Sequence, residues 1–461
     1  MRGPIYLTAD IRRIEQAAGK QPLMERAGAA AAELAARIAS DNTKDVLVLA
    51  GPGNNGGDAR IVARLLQERF FRVTVAENSS QVPDKSWGLV IDGLFGIGLA
   101  RDIDGDYARM VDYANRQKCP VLALDIPSGV HSDTGRVMGR AVRATHTITF
   151  IALKPGLLTL DGPDHCGEVT VAPLDLKVKD LLAPSAWVAD PSLFPAKKRP
   201  GNFHKGLAGS LGVLGGAAGM TGAALLAGRA ALKLGTGKVY IGLMETSIHV
   251  DAQAPELMLR HADDVLGLDL DALVVGPGLG QSERAETLVG AALSSDIPCV
   301  LDADALNLIS ANEDLRKACA RRSADTLLTP HPGEAATLLA ESIATVQADR
   351  VAAARALSRH FNAHVALKGN GTVLVARDGH WFINTSGNAG MASAGMGDVL
   401  AGMLGSLLAQ RYSGESALVL GTHLHGAAAD ALVGAGIGPV GLTAGELLEP
   451  ARRAWNSWLT S

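Results

Sequence analysis

The chain has 461 residues, enough for two or three domains with cores of their own, and its 47% hydrophobic and 20% charged residues describe a globular protein. A net charge of −4 gives no general attraction to nucleic acid or to anionic membrane surfaces, so neither is an expected partner. Glycine is abundant at 53 residues and aromatics are scarce at 4%, a balance that suits α/β folds with many tight strand-to-helix turns.

In chain order, helical patterns run from Ala9 to Ala18 and from Pro22 to Ala39. Strand patterns at Asp45 to Ala50, Arg72 to Ala76, Leu89 to Asp92, Val121 to Asp125 and Thr145 to Phe150 then alternate with helices from about Asp58 to Phe70 and near Tyr107 to Lys118. Such alternation argues for a parallel sheet covered by helices on both faces. Between Lys177 and Lys205 the pattern dissolves around Pro184, Pro191, Pro195 and Pro200, which marks the expected domain boundary. The basic cluster there, Lys197-Lys198-Arg199, reads as solvated linker.

A second α/β series follows, with strands at Leu211 to Leu214, Lys238 to Leu243, Ala272 to Val275, Cys299 to Asp302, Thr326 to Thr329, Val365 to Lys368 and Thr372 to Ala376. Its helices are expected at Met220 to Leu234, Ser282 to Leu293, Gly333 to Leu339, Val346 to Phe361 and from Asp398 onward. The uncharged run from Ser210 to Gly228 is long enough for a bilayer, but its Gly and Ala content splits it into strand, Gly loop and helix. Four cysteines (Cys119, Cys166, Cys299, Cys319) show no CxxC and no metal-ligand spacing, and read as reduced, mostly core residues of a cytoplasmic protein. The first ten residues lack an apolar h-region, which argues against a signal peptide.

In the first half, Gly51, Gly53 and Gly56 fit G-x-G-x-x-G, and Glu77 ends the next strand where a ribose-binding carboxylate would sit. A dinucleotide-binding turn is therefore one reading, and an ordinary strand–helix turn another. Asn54, Asn55 and Asp58 make the loop more polar than a pyrophosphate cradle requires. Asp92, Asp125 and Ser128 stand at further strand ends, which in a doubly wound sheet open on one crevice. Oxygens of Asn55, Asp92 and Ser128 suit a hard cation.

The second half has no G-x-x-x-x-G-K-[ST] and so no P-loop. Its most informative stretch runs from Asn384 to Gly402, where glycines and small residues lead into an apolar helix with Asp398 at its mouth. Backbone N–H groups crowded at a helix N-terminus favour a phosphoryl group, and the carboxylate could take a proton from an attacking hydroxyl. A helix-capping Asp after a flexible loop is the plainer alternative.

Two sets of motifs resemble known families. Asn-Asn-Gly-Gly-Asp (54–58), Asp-Gly-Leu-Phe-Gly-Ile-Gly-Leu (92–99), Leu-Asp-Ile-Pro-Ser-Gly (124–129), Leu-Lys-Pro-Gly (153–156) and Leu-Met-Glu-Arg-Ala-Gly (23–28) resemble the NAD(P)H-hydrate epimerase domain over residues 1–195. The resemblance implies a Rossmann-like three-layer α/β domain that interconverts the epimers of hydrated NADH and NADPH. It implies substrate contacts from Asn54, Asn55, Gly56, Gly57 and Asp58, from Gly96, Ile97, Gly98, Leu99, Ala100, Arg101 and Asp102, and from Tyr107. It also implies potassium at Asn55, Asp92 and Ser128, with Asp125 as the acid/base carboxylate. Ala59 stands where that family usually has glycine, and its β-carbon is expected to crowd the loop.

From 200 to 461, the words His-Lys-Gly (204–206), Gly-Met-Thr-Gly-Ala-Ala (219–224), Val-Gly-Pro-Gly-Leu-Gly (275–280), Leu-Asp-Ala-Asp-Ala-Leu-Asn (301–307), Thr-Pro-His-Pro-Gly-Glu (329–334), Lys-Gly-Asn-Gly-Thr (368–372) and Gly-Met-Gly-Asp-Val-Leu-Ala-Gly (395–402) resemble the ADP/ATP-dependent NAD(P)H-hydrate dehydratases of the ribokinase-like superfamily. His331, where vitamin kinases of that superfamily often carry Asn, favours the dehydratase. Ala389 and Met396 are small departures from the commoner motif. The resemblance implies a ribokinase-like α/β domain with Asp398 as base and Lys368, Gly369, Asn370, Gly371, Thr372 and Gly397 around ADP or ATP. Ala223, Gly278 and His331 would shape the substrate pocket, and Asp302 and Glu334 are candidate partners of Mg2+ through water. The expected partners are NADHX, NADPHX and an adenine nucleotide, in a homo-oligomer. The rival reading is a vitamin or sugar kinase with a non-catalytic Rossmann-like binding domain, which would release a stable phosphoester.

Overall fold

The computed structural model describes residues 2–39, 44–245 and 248–460. The chain divides into two compact units, Met1–Val188 and Ala189–Ser461. The first holds a six-stranded sheet in the order Val73–Ala76, Val46–Ala50, Leu89–Gly93, Val121–Leu124, His146–Phe150, Glu168–Ala172. Every neighbouring pair in it is parallel. Parallel strands joined by helices are covered on both faces, and the side-chain period of two shows it here. Val46, Val48 and Ala50 enter one apolar cluster with helices Thr8–Ala18, Leu23–Ala39 and Asn54–Glu68, while Leu47 and Leu49 enter another with helix Gly105–Arg116. The strand order reverses between Val46–Ala50 and Leu89–Gly93, so a crevice opens at their carboxyl ends.

Several short elements in this unit escape the sequence pattern. Strand Glu168–Ala172 lies at the sheet edge and is half-buried, so it carries a weak apolar signal. Ala186–Val188, inside the proline-rich stretch, pairs antiparallel with Pro4–Ile5.

In the second unit the sheet runs Trp381–Asn384, Thr372–Val375, His364–Leu367, Thr326–Leu328, Cys299–Leu301, Ala272–Val275, Ser210–Gly215, Lys238–Leu243, Met258–His261. It is parallel from His364–Leu367 onward, and the first two strands form an antiparallel hairpin extension. Helix Met396–Ala409 is buried continuously from Val399 to Ala409, which explains why its apolar residues show no clean stripe. The helix expected over Val346 to Phe361 is instead two, Ile343–Ala348 and Arg350–Phe361, because the Asp349 side chain accepts from the Ala352 N–H and starts a new helix. The uncharged run from Ser210 folds as strand Ser210–Gly215 and helix Thr221–Lys233, and no described helix is long and apolar enough to cross a membrane. All four cysteines are free thiols, three buried and Cys119 half-buried.

Candidate active sites

The crevice of the first unit begins where Val46–Ala50 turns into its helix. The helix starts at Asn54 rather than near Asp58, so Asn54 to Asp58 form its first turn. Gly56 is required there, since a β-carbon would lie 1.8 Å from the Gly51 carbonyl oxygen. That close approach buries Asn55, whose side-chain nitrogen and oxygen both lack a hydrogen-bond partner. Asp92, fully buried, accepts from Ser128 Oγ at 2.6 Å and from the Ser128 and Leu94 N–H groups at 2.8 and 3.3 Å. Burial pushes its carboxyl up to about 6, against the pull of those hydrogen bonds. The Phe95 N–H donates to Ser128 Oγ at 2.8 Å, which ties the Gly96–Asp102 loop to this pair.

Asp125 adopts the left-handed conformation (φ +67°) and is buried. Its Oδ1 accepts from Lys154 Nζ at 2.5 Å and its Oδ2 from the Ile97 N–H at 3.3 Å. Asp58 faces Asp125 and Glu15, and burial together with these two carboxylates raises its carboxyl to about 8. Gly98, Ala100, Arg101 and Asp102 stand exposed on the rim, with Leu99 half-buried and Tyr107 edge-on to Phe95 at 4.9 Å. Glu77, the residue a dinucleotide ribose would need, is held by Arg60 at 2.7 and 3.0 Å. The Ala59 methyl points into the core against Gly93, where a β-carbon would come within 2.4 Å of it. The alanine is thus matched by the missing side chain of Gly93 and does not crowd the crevice.

In the second unit, groups from four segments converge on the Lys368 ammonium. Gly395 takes a left-handed conformation (φ +85°) and starts helix Met396–Ala409, whose first-turn N–H groups have no partner within the helix. Lys368, at the end of His364–Leu367, donates from Nζ to Asp302 Oδ1 at 2.9 Å and lies 3.9 Å from Glu334 Oε2. A β-carbon on Gly397 would sit 3.3 Å from Lys368 Nζ and 3.5 Å from Asp302 Oδ2, so this ammonium lies directly under the helix mouth. Burial and Asp302 raise the Asp398 carboxyl to about 6, with Lys368 pulling the other way. Behind the Lys368–Thr372 turn, buried Arg350 donates to the Leu367 and Lys368 carbonyls at 3.0 and 3.2 Å. Ala223 and Gly278 face each other, as a β-carbon on Gly278 would be 3.2 Å from the Ala223 methyl.

His331 and Glu334 stand at the start of a helix. His331 Nδ1 accepts from the Gly333 and Glu334 N–H groups at 2.9 and 3.2 Å, and Glu334 Oε2 accepts from the His331 N–H at 2.8 Å. Together they form a capping box on helix Pro332–Leu339, leaving the His331 ring exposed toward solvent. Asp302 also accepts from Thr329 Oγ1 at 2.8 Å, so Asp302 and Glu334 are both engaged with protein groups.

The model of a family described as NAD(P)H-hydrate dehydratase matches residues 211–448, and that of a family described as YjeF-related protein N-terminus matches 20–88 and 76–156. A bifunctional NAD(P)H-hydrate repair enzyme of Escherichia coli is 36% identical over 504 aligned residues, which cover 99% of this chain and 95% of that one. The chain belongs to the bifunctional NAD(P)H-hydrate repair enzyme family. A solved ADP/ATP-dependent NAD(P)H-hydrate dehydratase of Bacillus subtilis, co-crystallised with ATP and Mg2+, superposes with a TM-score of 0.50 at 29% identity and covers 57% of this chain and 95% of its own. A ribokinase-like superfamily protein of Enterococcus faecalis shares the fold of the same part, with a TM-score of 0.51 at 22% identity, covering 59% and 95% of the two chains.

Against this member of the repair-enzyme family, sequence reasoning missed His425. It lies buried on helix Gly414–Gly434, bonded to the Met396 backbone, and its Nε2 has no partner. Burial, and after it the Lys368 cation, pull its pKa down to about 4, so it is a neutral ring bracing the start of the Asp398 helix. The word His423-Leu424-His425-Gly426 inside an otherwise apolar helix was the available signal.

Proposed function

We propose that this chain repairs hydrated nicotinamide cofactors, the first unit epimerising NADHX and NADPHX and the second dehydrating the S epimer at the expense of ADP or ATP. The observation that carries the second half is Asp398. It is a half-buried carboxyl near 6, at an open helix N-terminus, one residue from a glycine stacked on the Lys368 ammonium. A hydroxyl leaves a ring carbon poorly at neutral pH, and phosphorylation makes it leave readily. Asp398 takes the proton of that hydroxyl as its oxygen attacks the terminal phosphorus, and the shortened nucleotide departs. The N–H groups of Met396, Gly397 and Asp398, with Lys368, hold the transferring phosphoryl. Phosphate then leaves the ring carbon as the ring nitrogen's lone pair moves in, and loss of a neighbouring proton restores the dihydropyridine. Lys368, Gly369, Asn370, Gly371, Thr372 and Gly397 hold the nucleotide, and Ala223, Gly278 and His331 border the substrate. Mg2+ would ride on the nucleotide's phosphate oxygens, with Asp302 and Glu334 as its partners through water.

In the first unit, the unpartnered Asn55 side chain beside Asp92 and Ser128 is the feature that fits a potassium ion. Bound there, the cation would supply positive charge near the substrate's phosphates. Asn54 to Asp58 and Gly96 to Asp102 would hold the hydrated dinucleotide, with Asp125 at its reacting carbon. The residue ranges 1–195 and 200–461 are the proposed limits of the two activities.

The experiment is to give the protein mixed-epimer NADHX with ADP, ATP or no nucleotide, in Mg2+ and K+. Recovery of the reduced-nicotinamide absorbance is followed together with free phosphate. One phosphate per NADH recovered, with both epimers consumed faster than they interconvert spontaneously, supports the reading. Nucleotide consumption that yields a stable phosphoester and no NADH would move it to the kinase alternative.

A further inference from the structure

The word Leu-Lys-Pro-Gly has no part in the scheme above, yet Lys154 is the one fully buried lysine among the described residues. A buried ammonium is costly unless each of its N–H groups is met. Lys154 Nζ meets three acceptors, Asp125 Oδ1 at 2.5 Å, Phe150 O at 2.7 Å and Thr149 Oγ1 at 2.8 Å. Two of these belong to the end of strand His146–Phe150, so the ammonium is fixed by the sheet. Asp125 comes to it from a left-handed backbone conformation, which non-glycine residues seldom adopt. Its second oxygen is turned to the Ile97 N–H, in the loop that borders the crevice.

The other charged groups facing Asp125 are acidic. Asp58 comes from helix Asn54–Glu68 and Glu15 from helix Thr8–Ala18, where Arg12 offsets only Glu15. Asp58 faces these two carboxylates with no cation beside it among the described residues, and burial with their charge raises it to about 8.

We propose that Lys154 is a positioning residue of the epimerase site, whose ammonium holds the Asp125 carboxylate aimed at the crevice so that Asp125 accepts a proton while Asp58 delivers one. This rests on the epimerase reading of the first unit. The C6–O bond breaks as the ring nitrogen's lone pair forms an N=C6 bond, and the hydroxyl leaves as water with the Asp58 proton. Water returns to the opposite face of C6, the N=C6 pair goes back to nitrogen, and the surplus proton passes to Asp125. Solvent carries that proton back to Asp58, so the reaction is a net isomerisation.

The test is conversion of purified S-NADHX to the R epimer by the full chain in K+ without nucleotide. Lys154→Met is expected to lower kcat on the order of 10²-fold with KM changed less than about threefold. Asp125→Asn should fall at least as far. The double variant should be no slower than Asp125→Asn alone, because Lys154 acts through Asp125. It should also melt above Asp125→Asn, in which the buried ammonium has lost its counter-charge. Lys154→Arg should recover part of the rate. Wild-type kcat in Lys154→Met, or losses that multiply in the double variant, would overturn the role. If Lys154→Met does not fold, the charge-balanced double variant and Lys154→Arg decide by the same comparisons. No epimerisation by the unaltered protein would remove the epimerase reading itself and this role with it, whereas an active wild type with an indifferent Lys154→Met removes only the role.

Discussion

Both units place a carboxylate among strand ends beside a helix N-terminus and a lysine, but they connect the lysine differently. In the first, Lys154 is fully buried and bonded to Asp125, the carboxylate of the proposed chemistry. In the second, Lys368 is bonded to Asp302 instead, and Asp398 is left with a carboxyl near 6. The contrast follows the two reactions. An epimerase that must both give and take a proton needs two carboxylates held in different settings, and a buried cation bonded to one of them and not the other provides that. A phosphoryl-transfer site needs its cation for the phosphoryl, so the base is tuned by burial and by a neighbouring carboxylate.

The largest expected effect is Asp398→Asn, which should cut nucleotide-dependent NADH recovery by about 10²–10⁴-fold while epimer exchange continues unchanged. Equal loss of both activities would break the separation of the two sites. Next, Gly56→Ala should remove epimerase activity and destabilise the first unit by about 1–3 kcal/mol, read from denaturant unfolding, because its β-carbon would meet the Gly51 carbonyl. Dehydration should persist in that variant.

A pH profile sharpens the comparison further. Asp398 works only when ionised, so dehydratase kcat/KM should fall about tenfold per pH unit below about 6 and level off above it. Asp302→Asn removes a negative neighbour and frees Lys368 toward Asp398, giving the second site the connection of the first. The acid limb should then move down by roughly one unit, and a limb that stays in place would show that burial alone sets it. The smallest effect is Ala59→Gly, expected to cost about 1 kcal/mol in unfolding with epimerisation within twofold of wild type, since the methyl packs on Gly93. A faster epimerase in that variant would restore the crowding expectation.

What could be read from the sequence was local. Asn54 to Asp58 and Gly395 to Asp398 announce themselves because a helix mouth that receives a ligand needs glycine and a polar side chain at fixed neighbouring positions. The alternation of short apolar runs with helices likewise locates most strands within a residue or two. What could not be read was who pairs with whom. Lys154 and Asp125 lie 29 residues apart, and nothing in Leu-Lys-Pro-Gly says which carboxylate its ammonium meets. Lys368 and Asp302 lie 66 apart, and nothing in either word says that this ammonium meets this carboxylate. The spacing of His331 and Glu334 is that of a capping box as well as of a turn lining a pocket, and the cap shows only in the observed N–H partners. Edge elements such as Glu168–Ala172 were lost because half-exposed strands carry polar residues.

The central claim is that one chain carries two separable chemistries, each centred on its own carboxylate. The most direct measurement is NADH recovery from mixed-epimer NADHX by the Asp125→Asn variant at saturating nucleotide, followed over times short compared with spontaneous epimerisation. The account predicts that recovery proceeds at the wild-type initial rate and then stops at the S fraction, and that adding the Asp398→Asn variant restarts it. Recovery that runs through both epimers without that addition, or an initial rate that collapses with Asp125, would contradict it.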